Sequence, residues 1–125
     1  MDYFSLAWLE LQCEIGNYSI ETIQASLTYL TAITICEAIA RTAAQTSRIL
    51  VCGGGVHNDF LMQMLTENAH CEVQSTVDFG LHPDHVEAIA FAWLAKQTLN
   101  QKTGNLKAVT GASCNVILGG IYPVV

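Results

Sequence analysis

The stretch ILVCGGGVHNDFLMQML, residues 49–65, constrains the fold more than any other part of the chain. Four apolar residues run straight into three consecutive glycines, and an amphipathic helical pattern follows within a few residues. A short apolar run that stops at turn residues reads as a strand of the sort that parallel sheets cover on both faces, so Arg48 to Cys52 is expected to be a short buried strand. Asn58 to Glu67 then reads as a helix with Phe60, Leu61, Met64 and Leu65 inward. The glycines match neither the GxGxxG dinucleotide fingerprint nor the GxxxxGK phosphate loop, so the turn between strand and helix serves some other purpose.

The flanking segments extend the same α/β pattern. Phe4, Trp8 and Leu11 have helical spacing at the start. Ser19 is placed to cap a long helix whose first turn holds Glu21, favourable against the helix dipole. Ile23, Leu27, Leu30, Ile33, Ile35 and Ile39 carry that helix to about Gln45 and make it apolar on more than one side, which predicts that it is sandwiched. Cys71 to Ser75 alternates as a second strand, and DFGLHPD is a loop with turn chemistry. Pro83 suits a first helical turn, and Asp84 with Glu87 forms the aspartate version of a capping box for the helix VEAIAFAWLAKQTL. Strand, helix, strand, helix in this order predicts a right-handed α/β layer. An edge strand is expected near Val116 to Leu118.

Composition narrows the partners. With 125 residues there is room for one domain with a core. Hydrophobic residues make up 51% and charged residues 13%, an apolar balance for a free-standing small domain, which points to a face meant for another segment or subunit. A net charge of -6 with five Lys and Arg leaves no basic stripe, so nucleic acid is not an expected partner. Residues 20–40 are about long enough to span a bilayer, but Glu21, Gln24, Glu37 and the hydroxyl residues make a buried helix the better reading, with no membrane association. The five cysteines are odd in number and irregularly spaced, which suits buried thiols in a reducing cytoplasm and not a disulfide framework.

A strand ending in glycines and opening into a helix creates a site at the carboxyl end of a parallel sheet. Backbone at Gly53, Gly54 and Gly55 can adopt left-handed angles and lie close to a flat or anionic group, and helix-start amides attract phosphate. The same glycines also serve a tight turn with close strand and helix packing and no ligand at all.

Beyond these physical signals, ILVCGGGVHNDFLM, EAIAFAWLA and NLKAVTGAS, with LGGIYP near the end and DYFSLAWL near the start, resemble in order the C-terminal part of the anhydro-N-acetylmuramic acid kinases. The resemblance implies the sugar kinase, heat-shock ATPase and actin superfamily, in which two α/β lobes close on ATP. It implies a cytoplasmic enzyme of peptidoglycan recycling that opens the 1,6-anhydro ring and transfers the ATP γ-phosphoryl group to O6, giving N-acetylmuramic acid 6-phosphate, with Mg2+. Residues 1–125 then correspond to a single C-terminal lobe, a fragment whose N-terminal lobe, phosphate loop and general base lie in the preceding part of the family. The chain alone is expected to be inactive, and its partner is that lobe or a split partner supplying it. A non-catalytic nucleotide-binding or protein-interaction module derived from such a kinase is the alternative, and a homodimer through the uncovered apolar face fits either.

In the family pattern Gly53, Gly54 and Gly55 border the nucleotide, with Asn58 near its ribose or phosphates. Asn58 equally suits a helix N-cap, and the two roles can coexist. Glu87 is placed to accept hydrogen bonds from sugar hydroxyls, or to complete the capping box. His57 reads as a bystander, Cys52 as a packing thiol, and Phe91, Trp93 and Leu94 as core. His82 and His85 lack an evident third ligand for a metal, and Asp78 reads as a loop aspartate.

Overall fold

The computed structural model describes residues 5–122. Phe4, expected to join the first helical stripe, lies outside them. Helix α1 (Leu6–Gln12) is capped by Ser5, whose hydroxyl accepts from the Trp8 N–H. A short 3-10 turn leads to α2 (Ile20–Thr42), capped as expected by Ser19, whose hydroxyl accepts from Thr22 N–H at 3.2 Å. Strand β1 (Arg48–Val51), α3 (Asp59–Asn68) and β2 (Glu72–Ser75) form the central unit, and α4 (Val86–Leu99) and α5 (Lys107–Thr110) complete the chain.

The two strands pair in parallel, with Arg48 opposite Glu72 and Val51 opposite Ser75. Parallel neighbours need a crossover, and α3 supplies it while packing on α2 and β2. The core sits at the α2–α3 contact. Ala32, Cys36 and Leu65 are buried there, with Val51, Leu61, Met62, Met64, Ala69 and Val73 packed around them. Ala32 and Cys36 are one turn apart on α2, and their small side chains let α3 approach and seat Leu65 between them. The fold is thus α/β, a short parallel sheet flanked by helices.

Outside this contact the chain is far less covered than its sequence suggests. Its accessible surface is 9463 Å2 for a mass of 13.6 kDa, where a compact monomer of that mass would expose roughly 6,600 Å2. Helix α2 is not sandwiched: beyond Ala32 and Cys36 it has no buried residue, and Tyr29, Leu30 and Ile35 are exposed. By length and composition it also passes as a membrane-spanning helix, but it carries Glu37 and Arg41 and docks α3 on its small-residue face. Ser26, Thr28, Thr31, Thr34 and Thr42 donate to carbonyls four residues back, which satisfies their hydroxyls along the helix itself.

Several expected core positions are likewise corrected. Strand β1 alternates exposed and half-buried residues instead of being buried on both faces, because a two-stranded sheet has only α3 and α2 to cover it. Phe60 is 39% exposed, since the inward face of α3 runs through Leu61, Met62, Met64 and Leu65. Phe91 and Trp93 are 71% and 49% exposed, and no residue of α4 is buried. Only Cys36 of the five thiols is buried, and Cys52 and Cys114 are exposed. No strand forms at Val116 to Leu118; the backbone there is held by Asn105, whose Oδ1 accepts from Val116 N–H at 2.7 Å, and by Gly104 N–H donating to the Val116 carbonyl.

Candidate functional site

The carboxyl ends of β1 and β2 lie side by side, and each runs into a tight turn. After β1, Gly53 adopts φ +75°, and Gly54–His57 form a 3-10 turn. Only Gly53 of the three glycines takes a left-handed φ; Gly54 and Gly55 do not. Gly53 N–H donates to the Pro83 carbonyl at 3.0 Å, which draws the turn against the start of α4. After β2, a 3-10 turn Thr76–Phe79 closes on Gly80, itself left-handed at φ +79°, and returns the chain to buried Pro83.

The glycines differ in what surrounds them. A Cβ at Gly53 would lie 3.8 Å from Glu87 Oε1, and one at Gly55 would meet Leu61 Cδ2 at 3.4 Å. One at Gly54 would meet nothing within 4 Å. Gly55 is therefore a packing glycine, Gly53 a conformational one, and Gly54 presents bare backbone to open space. Bare backbone of this kind leaves room for a flat or anionic group to approach.

Asn58 forms the expected cap: its Oδ1 accepts from Leu61 N–H at 3.0 Å. The cap occupies one lone pair of Oδ1, and Nδ2 is the donor this side chain can offer a ligand. Replacing a cap of this kind with alanine typically costs about 1 kcal/mol. Asn58→Ala is accordingly expected to lower the urea midpoint modestly with an unchanged slope.

The capping box at α4 does not form. The helix N-cap is His85, with no side-chain cap, because a 3-10 turn Pro83–His85 precedes the α-helix proper. Its two expected members turn elsewhere: Glu87 toward Gly53, and Asp84 toward His57. His57, read from the sequence as a bystander, makes one side-chain contact. Its Nε2 lies 2.8 Å from Asp84 Oδ1, bridging the glycine turn and the start of α4 across 27 residues of sequence. His82 Nδ1 is 3.9 Å from Asp84 Oδ2. No local sequence signal could have found this pair, since it depends on the parallel register that brings the two turns together.

The His57 hydrogen bond, with the charges of His57, His82 and His85, holds the Asp84 carboxyl below its ordinary value. A carboxyl depressed in the folded state adds stability above its unfolded value and loses it as pH falls through the folded one. Both side chains are well exposed, so the contribution to stability is small. His57→Ala is expected to raise the Asp84 titration midpoint, measured by carboxyl-carbon NMR.

His82 and His85 have ring centroids 4.7 Å apart. Among the described residues no group of three His, Cys, Asp or Glu side chains gathers to hold a metal.

A parallel pair whose carboxyl end carries an open glycine turn, with the Glu87 carboxylate of α4 beside it, defines an α/β unit with its candidate site at the carboxyl end of the sheet. The family model for anhydro-N-acetylmuramic acid kinase matches residues 1–124, and the chain belongs to that family. It is 44% identical over 123 residues to an anhydro-N-acetylmuramic acid kinase of Xylella fastidiosa, covering 98% of this chain and 32% of that protein. It is 42% identical over 125 residues to one of Legionella pneumophila strain Lens, covering 99% of this chain and 34% of that protein. The chain thus spans about a third of the length of the curated relatives it matches.

Proposed function

We propose that residues 1–125 act as the C-terminal lobe of an ATP-dependent amino-sugar kinase that opens 1,6-anhydro-N-acetylmuramic acid and phosphorylates O6, in cytoplasmic peptidoglycan recycling. The observation that carries this reading is the juxtaposition of the open Gly53–Gly54 backbone with the Glu87 carboxylate at the carboxyl end of the sheet. Family membership supplies the reaction class.

In this reading Gly53, Gly54 and Gly55 border the nucleotide, and the Asn58 Nδ2 group reaches its edge. ATP with Mg2+ supplies the transferred phosphoryl group. Glu87 accepts hydrogen bonds from sugar hydroxyls and so orients the acceptor against the nucleotide turn. The phosphate loop and the general base for ring opening come from the remaining length that the relatives possess. The large exposed surface supports such a partner: Ile89, Phe91, Trp93 and Leu99 leave α4 apolar and exposed on more than one side, which water alone covers poorly.

The test is a chimera in which this chain replaces the 125-residue stretch it matches in the Legionella relative. The expected result is Mg2+-dependent conversion of the anhydro sugar to the 6-phosphate. A folded chimera that binds both substrates and makes no 6-phosphate would refute the proposal.

A further inference from the structure

We propose that His57 and Asp84 are a positioning clasp that fixes the distance between the glycine turn and the Glu87 carboxylate, and so aligns the two bound substrates for phosphoryl transfer. The proposal rests on the assignment above of the turn to the nucleotide and of Glu87 to the sugar.

The geometry has three parts. His57 closes the 3-10 turn that Gly54 opens, so its ring is carried at the end of the glycine turn. Asp84 sits in the 3-10 turn that feeds α4, three residues before Glu87. Between these two turns run two links, the Gly53 N–H to Pro83 carbonyl bond and the His57 Nε2 to Asp84 Oδ1 bond. One backbone bond alone leaves a hinge. A second bond, set four residues further along the turn, opposes rotation about the first and so narrows the range of angles between the turn and α4.

The restraint matters because Glu87 Oε1 already lies 3.8 Å from where a Gly53 Cβ would be, so a small rotation of the turn changes what the carboxylate faces. The charged and titratable groups around Asp84 are His57 from the glycine turn, His82 and His85 from its own turn, and Glu87 from α4; the three histidines all act to keep its carboxyl ionised, as an acceptor requires.

The experiment uses His57→Ala, His57→Gln, Asp84→Ala and the alanine double variant. In the chimera, each alanine variant is expected to lower kcat by on the order of tenfold or more, as a misaligned pair of reactants does. Both KM values and the thermal midpoint should stay near those of the parent. The double variant should be no worse than either single one, because they break the same bond. His57→Gln places an amide nitrogen near the position of Nε2 and should restore most of the rate.

In the 125-residue chain itself, amide exchange is the independent readout. His57→Ala should speed exchange at Gly53 and Val56 while α3 amides keep their protection. Unchanged kcat in the alanine variants, effects that multiply in the double variant, or unchanged exchange at Gly53 would each overturn the clasp. Altered exchange with an inactive parent chimera would instead leave the clasp standing and refute the kinase assignment on which its catalytic role rests.

Discussion

Gly54→Val is expected to weaken ATP binding to the chimera by on the order of a hundredfold while leaving its thermal midpoint within a degree or two, the size that about 3 kcal/mol of overpacking would give. Two facts produce this split. The backbone at Gly54 is not left-handed, so a side chain imposes no strain there, and a Cβ would meet no protein atom within 4 Å. The valine therefore costs the fold little. Its methyl groups would occupy the open space in which the nucleotide is proposed to lie.

Gly53→Val provides the contrast. At φ +75° and ψ -172° any side chain is strained, by roughly 1–3 kcal/mol, and its Cβ would stand 3.8 Å from Glu87 Oε1. That variant should lose both stability and binding. Calorimetric titration with ATP and Mg2+, paired with thermal unfolding, separates the two glycines. Equal loss of stability in both variants would mean that Gly54 serves packing alone.

The second large effect lies in the core. Leu65 is 2% exposed and sits where α3 meets Ala32 and Cys36 of α2. Truncating a buried leucine to alanine costs about 2–5 kcal/mol, and marginal domains hold only about 5–15 kcal/mol in total. Ala32, Cys36 and Leu65 are the hydrophobic core cluster of the described residues, and no second such cluster there can share the loss. Leu65→Ala is expected to leave the isolated chain largely unfolded at 37 °C, by circular dichroism. Phe60→Ala, at a 39% exposed neighbour in the same helix, should cost far less.

These two sites also show what could be read in advance. Ser19, Asn58 and Pro83 announced their roles through local chemistry, and the structure places Ser19 and Asn58 as caps and Pro83 in the turn that starts α4. Strands expected at Arg48 to Cys52 and Cys71 to Ser75 form at Arg48–Val51 and Glu72–Ser75, because strand pattern is local. Burial is not. Phe91, Trp93 and Leu30 are apolar at helical spacing, as a core residue is, yet the described residues leave all three exposed. Periodicity reports which face seeks cover and is silent on where the cover comes from.

The candidate site divides along the same line. The glycine turn was evident from composition, but which glycine is strained, which is packed and which is open depends on Leu61 and Glu87. Asp84 with Glu87 looked like a capping box because the spacing allowed one. A 3-10 turn intervened, and both carboxylates were released to face the glycine turn and His57. Contacts between two strand-end turns exist only once the register is set.

The most direct test of the account is to titrate ATP and Mg2+ into the isotope-labelled chimera and record which amides of these 125 residues respond. The expected result is shifts concentrated at Gly53, Gly54, Gly55 and the Asn58 side chain, with smaller ones at Glu87. Saturable binding with those signals unmoved, and the response confined to other parts of the chain such as the apolar groove between α1 and α2 near Trp8 and Leu30, would contradict it.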